Sequence, residues 1–159
     1  MVAELPAFVR EGMAAEAKAR GEKGWTVTLQ HPSYLPFMTY SSNRELKEKL
    51  WKASNSRALG GEFDNTEIVK KIANLLGYKC FADDAPARRI AANTKTVNDF
   101  LAELLAATKS YADADYRTVS DYAATLGFKG QLMPWDWSYY TEKYKDEKYA
   151  LNDELVKPY

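Results

Sequence analysis

The sequence holds one cysteine, one histidine and no surplus of either charge. Each scarcity excludes something. With Cys80 alone, no internal disulfide can form, which suits a reducing compartment, and a cytoplasmic setting is expected. A zinc site needs three or four donors from His, Cys, Asp or Glu at workable spacing. His31 and the distant Cys80 do not supply them, and H-E-x-x-H is absent. His31 therefore reads as a turn or packing residue, with ligand contact as the alternative. Cys80, between the aromatic Tyr78 and Phe81, reads as a buried structural thiol rather than a nucleophile. Lys plus Arg number 22 and Asp plus Glu number 22, which argues against a nucleic-acid surface and against polybasic membrane docking. No apolar run approaches the ~20 residues that span a bilayer. The stretch M-V-A-E-L-P-A-F-V-R-E has neither the basic nor the apolar region of a signal peptide.

What is present is apolar and aromatic. Hydrophobic residues make up 46% of the 159, enough for a core, so disorder is not expected. The length fits a single domain spanning 1–159. Tyr, Phe and Trp number 11, 6 and 4, and such residues suit half-wet grooves and interfaces.

The periodicity predicts a mainly α chain, a helical bundle or array with at most one short β segment near 25–29. Pro6 opens a helix over 6–20 that Gly21 stops. Trp25, Val27 and Leu29 alternate and read as a short strand, after which the chain turns through Pro32 and Pro36. Ser42 and Glu45 form a capping box for a helix reaching about Leu59, with Leu46, Leu50 and Ala53 on one face. Asp64 and Glu67 form a second, ahead of the stripe Ile68, Val69, Ile72, Leu75 and Leu76, closed by Gly77. The segment 81–93 favours helix in composition but contains Pro86. Thr94 or Thr96 caps the longest periodic segment, which runs to Gly127 with a polar middle at 110–115 where a bend is expected. Pro134 starts another helix, and Asp136 in its first turn complements the helix dipole. A short helix is predicted over 152–157.

Candidate chemistry is sparse. Asp83–Asp84 and Asp113/Asp115 match solvated helix faces as well as an acid–base pair. The run P-W-D-W-S-Y-Y-T-E-K-Y could stack on a ligand, although packing or an interface is the plainer reading, and no basic cluster accompanies it. The residues expected to offer a peptide or interface surface are Trp135, Trp137, Tyr140, Tyr144, His31 and Tyr34.

Taken in order, W-T-V-T-L-Q-H-P-S-Y-L-P-F-M-T-Y-S-S-N-R-E-L-K-E-K-L-W-K-A, S-R-A-L-G-G-E-F-D-N-T-E-I-V-K-K-I, L-L-G-Y-K, T-V-N-D-F-L-A-E-L-L, P-W-D-W-S-Y-Y-T-E-K-Y and Y-A-L-N-D-E-L-V-K-P-Y resemble one continuous part of the thimet-oligopeptidase and peptidyl-dipeptidase (Dcp-like) family of zinc metallopeptidases. The blocks cover most of the chain, and none is a catalytic motif. The resemblance implies a helical scaffold in which two lobes flank a channel that admits short peptides. It implies zinc on H-E-x-x-H plus a distant Glu, with the motif Glu activating bound water. Those residues would lie C-terminal to Tyr159, so no catalytic, cofactor-binding or metal residue is carried onto this chain. Two departures stand out. Between Ile72 and Leu75 the family has about two more helical turns, and D-A-P-A-R-R-I replaces a helical run after Asp83. The expectation is a non-catalytic helical fragment of such a peptidase. Its partners would be short peptides, the missing catalytic lobe, or further copies of itself. The alternatives are a stand-alone peptide- or protein-binding module and a regulatory subunit of a separate catalytic chain.

Overall fold

The computed structural model describes residues 2–150. Among them are seven helices: α1 (Ala7–Ala19), α2 (His31–Tyr40), α3 (Arg44–Asn55), α4 (Thr66–Leu75), α5 (Phe81–Ala87), α6 (Thr94–Thr125) and α7 (Pro134–Tyr149). The mainly α expectation is met, and no strand occurs among the described residues. The helix predicted over 152–157 lies outside them.

The chain divides into two compact units, one of residues 1–55 and 116–159, the other of 56–115. Helix α6 belongs to both, dividing after Asp115, and it runs without interruption through the polar 110–115 stretch.

In the first unit, Leu5, Val9, Met13 and Phe37 form one core, with Val27, Tyr40, Leu46 and Leu50 packed against it. The α1 face spaced at i, i+4 and i+8 supplies Val9, Met13 and Ala17, all buried. A second cluster joins Val119 and Ala123 of α6 to Leu132, under Phe128, Trp137 and Tyr140.

Three local predictions need correction. Residues 25–28 do not form a strand. A ladder needs a second extended segment, and these amides go elsewhere: the Thr26 N–H donates to the Met13 carbonyl and the Thr28 N–H to Ser33 Oγ. The proline-containing stretch is a helix, α2, rather than a turn. Pro32 lies at its start, where the missing N–H has no intrahelical partner to lose, and only Pro36 costs a helical hydrogen bond. Helix α3 starts one residue later than the Ser42 cap implies and ends at Asn55. Asn43 accepts the Leu46 N–H through Oδ1 at 3.0 Å, the distance and spacing of an N-cap. Ser42 instead donates its hydroxyl to Glu4 at 2.7 Å. Beyond Asn55 the chain leaves the helix, and Ala58 adopts φ +57°.

In the second unit, Asp64 accepts the N–H of Thr66 at 2.8 Å and of Gly60 at 2.8 Å, closing the turn into α4. Gly77, at φ +87°, ends that helix in a conformation a side chain would resist. Asn93 caps α6, its Oδ1 accepting the Thr96 N–H at 2.9 Å. Thr94 is not the cap: its hydroxyl lies 2.8 Å from the Ala82 carbonyl, tying α6 to α5. Pro86 sits inside α5 without abolishing it.

The unit contributes only Ala73 to the buried apolar residues. The stripes read from the sequence are real but open to solvent. On α4, Ile72 is 50% and Leu75 87% exposed; on α6, Phe100, Leu101, Leu104 and Leu105 are all exposed.

The capping assignment separates two substitutions. Asn43→Ala should lower stability by about 1 kcal/mol. Ser42→Ala, which loses only an exposed bond to Glu4, should lower it by less than half as much. Urea denaturation of both variants checks the order.

Candidate functional site

Helix α7 carries the aromatic run, and the structure shows where each member goes. Trp135 is buried, with its ring 5.5 Å from that of Trp51 on α3. Its indole N–H has no hydrogen-bond partner. Trp137 stacks on Tyr116, rings parallel at 6.2 Å. Tyr140 meets Phe128 edge-on at 5.3 Å, and Tyr144 meets Tyr122 at the same spacing. The Tyr122 hydroxyl donates to Glu147 at 2.7 Å; burial and that carboxylate push its pKa up to about 12. The run thus covers the α6 segment of the first unit and the flank of α3. His31 lies exposed at the start of α2, with half-buried Tyr34 one turn on. Burial raises the Tyr34 pKa above its ordinary value.

The densest polar arrangement lies where α3 meets α7. Asp136 is 1% exposed and accepts two bonds from Arg44, Nε to Oδ1 at 2.9 Å and Nη2 to Oδ2 at 3.0 Å. It also accepts the Met133 N–H at 3.0 Å, satisfying one of the orphan donors at the start of α7. The Arg44 guanidinium lies 5.6 Å from the Trp135 ring and 5.7 Å from that of Phe128. Its pKa is raised further, first by the hydrogen bond to Asp136.

One turn along α3, Lys47 is 1% exposed, its ammonium 4.2 Å from the centre of the Tyr139 ring. Burial brings its pKa down to about 8; Asp136 opposes the shift and Arg44 adds to it. The sequence offered no signal for this group. Arg44 and Asp136 are 92 positions apart, and Lys47 looks like any charge on an amphipathic helix.

Cys80 is exposed rather than buried, a further correction. It precedes α5, next to the exposed Phe81, and its thiol donates to Asp83 at 3.4 Å. Among the described residues, no group of three or more His, Cys, Asp or Glu side chains converges as a metal site would require.

The sequence profile described as peptidase family M3 matches residues 37–159. This chain belongs to peptidase family M3. It is 34% identical over 170 aligned positions to oligopeptidase A of Haemophilus influenzae, covering 99% of this chain and 25% of the relative. Identity is again 34%, over 85% of the chain, to a protein of Arabidopsis thaliana described as a probable cytosolic oligopeptidase A, of which 20% is covered. It is 29% to dipeptidyl carboxypeptidase of Escherichia coli, covering 99% of the chain and 25% of the relative. The chain therefore spans about a quarter of the length of the curated relatives it matches. The alignment to the Haemophilus protein is longer than the chain, so that relative has residues with no counterpart here. The family is one of zinc metallopeptidases. The described residues of this member do not compose a zinc site. No helix among them is long and apolar enough to cross a membrane.

What the polar cluster governs is stability, with a definite sign. The folded-state pKa of Lys47, about 8, lies below its ordinary 10.5. Between those values the unfolded chain binds more protons, so stability rises with pH across that window. The cost of burying the charge is fully present below pH 8. Lys47→Met should therefore stabilise the protein at pH 7, by about 2 kcal/mol after allowing for solvent screening. The advantage should shrink as pH rises to 10.5. Denaturant titrations of both proteins at pH 7 and pH 10 check that the difference narrows.

Proposed function

We propose that this chain is a non-catalytic helical scaffold of an M3-type oligopeptidase. It would wall part of a channel for short peptides while zinc and hydrolysis are supplied elsewhere. Family membership over a quarter of the relatives' length supports the reading. The observation that carries it is the apolar surface of the second unit. Ile68 and Ile72 on α4, and Phe100, Leu101, Leu104 and Leu105 on α6, repeat at helical spacing yet stand exposed. Leu and Phe side chains each gain roughly 1.5–3 kcal/mol on full burial. Such stripes belong against protein, and patches of this kind mark interaction surfaces. The proposed occupant is the catalytic portion of the peptidase; without it, further copies of this chain would compete for the same surface.

A peptide along the first unit would meet the exposed His31 and the half-buried Tyr34, Trp137, Tyr140 and Tyr144, the last three held in place by ring contacts with Tyr116, Phe128 and Tyr122. Trp135, buried against Trp51, would support that wall from behind. An exposed free thiol at Cys80 fits a reducing, cytoplasmic setting.

Two measurements test the proposal. Incubated with zinc and an internally quenched short peptide, the purified chain should give no turnover. Hydrolysis that co-purifies with it and is abolished by a chelator would refute the reading. In light scattering, the chain alone should run larger than a monomer, and Leu101→Lys with Leu105→Lys should shift it toward monomer. A wild-type monomer at high concentration would count against the exposed stripes as a docking face.

A further inference from the structure

The first unit contains a groove that the packing above does not fill. Its volume is about 380 Å³, within the range of small-molecule sites. Met13 of α1, Trp25 and Val27 of the segment between α1 and α2, Phe37 of α2, and Leu46 and Leu50 of α3 line it. Val2 adds a further apolar wall, and Ala53 and Lys49, both exposed on α3, complete the lining at the solvent side. Trp25 is 55% exposed although its ring forms part of the wall.

The only side chain in that lining with a hydrogen-bonding group besides the Trp25 indole is Lys49. Among the described residues it forms no salt bridge, whereas its helix neighbour Lys52 pairs with Glu48 at 2.6 Å. An apolar groove bearing one uncommitted cation is complementary to an apolar chain with one anionic end. The lining also discriminates against a peptide. A peptide brings amide N–H and C=O groups, and burying each without a partner costs about 1–3 kcal/mol. An aliphatic carboxylate brings none.

We propose that this groove binds a medium-chain aliphatic carboxylate, with the chain along Met13, Phe37 and Leu50 and the head group at Lys49. The proposal is independent of the peptidase reading and stands or falls separately from it.

Decanoate is the probe, titrated into the full chain by calorimetry, with 1-decanol and a capped Ala-Ala-Leu peptide as comparisons. Decanoate should bind saturably, with Kd of the order of 0.1 mM, more tightly than decanol, and the peptide should not bind. Lys49→Gln should weaken decanoate about threefold, as expected for loss of an exposed ion pair, and leave decanol unchanged. Ala53→Phe, a substitution at an exposed helix position that crowds the groove, should abolish binding of both while circular dichroism stays unaltered. No saturable binding of decanoate, equal affinities for decanoate and decanol, undiminished binding to a folded Ala53→Phe variant, or tighter binding of the peptide would each overturn the proposal.

Discussion

The first unit depends on a single buried carboxylate. Asp136 is almost wholly withdrawn from water, yet it holds Arg44 through two short bonds and closes the first turn of its own helix through the Met133 amide. A carboxylate so placed is tolerable only with its lone pairs engaged. The engagement fixes more than energy. A bidentate fork has one geometry, so Arg44 sets the register of α3 against α7, with Trp51 meeting Trp135 edge-on beside it. Arg44 stays about half exposed, which limits the net stabilisation; its contribution is to specify position.

Lys47 shows the cost of that arrangement. A second cation is buried one turn along from the first, near the same carboxylate, and its depressed pKa records the strain. The Tyr139 ring face offsets part of it, as an aromatic quadrupole can for a desolvated ammonium. The two units differ in kind as a result. The first has two apolar clusters and a polar clamp between helices distant in sequence. The second has local turns closed by Asp64 and Asn93, and apolar side chains exposed to solvent. Its helices are specified locally, but its apolar residues are not used internally.

Some of this could be read from the residues. Helices α1, α4, α6 and α7 follow from period and punctuation, because Pro6, Gly77, Gly127 and Pro134 act through their own backbone and need no tertiary context. Helix α2 did not, because two prolines in ten residues resemble a turn unless their positions along the helix are known. Of the alternating run Trp25, Val27 and Leu29, Val27 packs against the core while Trp25 stays exposed, and strand pairing, which depends on a partner elsewhere in the chain, does not occur. Ser42 satisfied the capping pattern as well as Asn43 did; Glu4, far off in sequence, takes the Ser42 hydroxyl. The aromatic run read as packing or an interface; that its rings pack on Tyr116, Tyr122 and Phe128 agrees with the packing reading, but which partners they take was not legible. The Asp136 cluster was the least legible feature, since each of its charges has an ordinary local explanation.

One unit is stabilised from within, while the other presents apolar helix faces to solvent. Amide hydrogen exchange on the isolated chain at low concentration, followed residue by residue, measures this most directly. Amides of α1, α3 and α7 should exchange slowly, with a common opening free energy, while those of α4 and of α6 up to residue 115 exchange orders of magnitude faster. Protection in α4 and the first half of α6 equal to that of α7, in a monomeric sample, would contradict it.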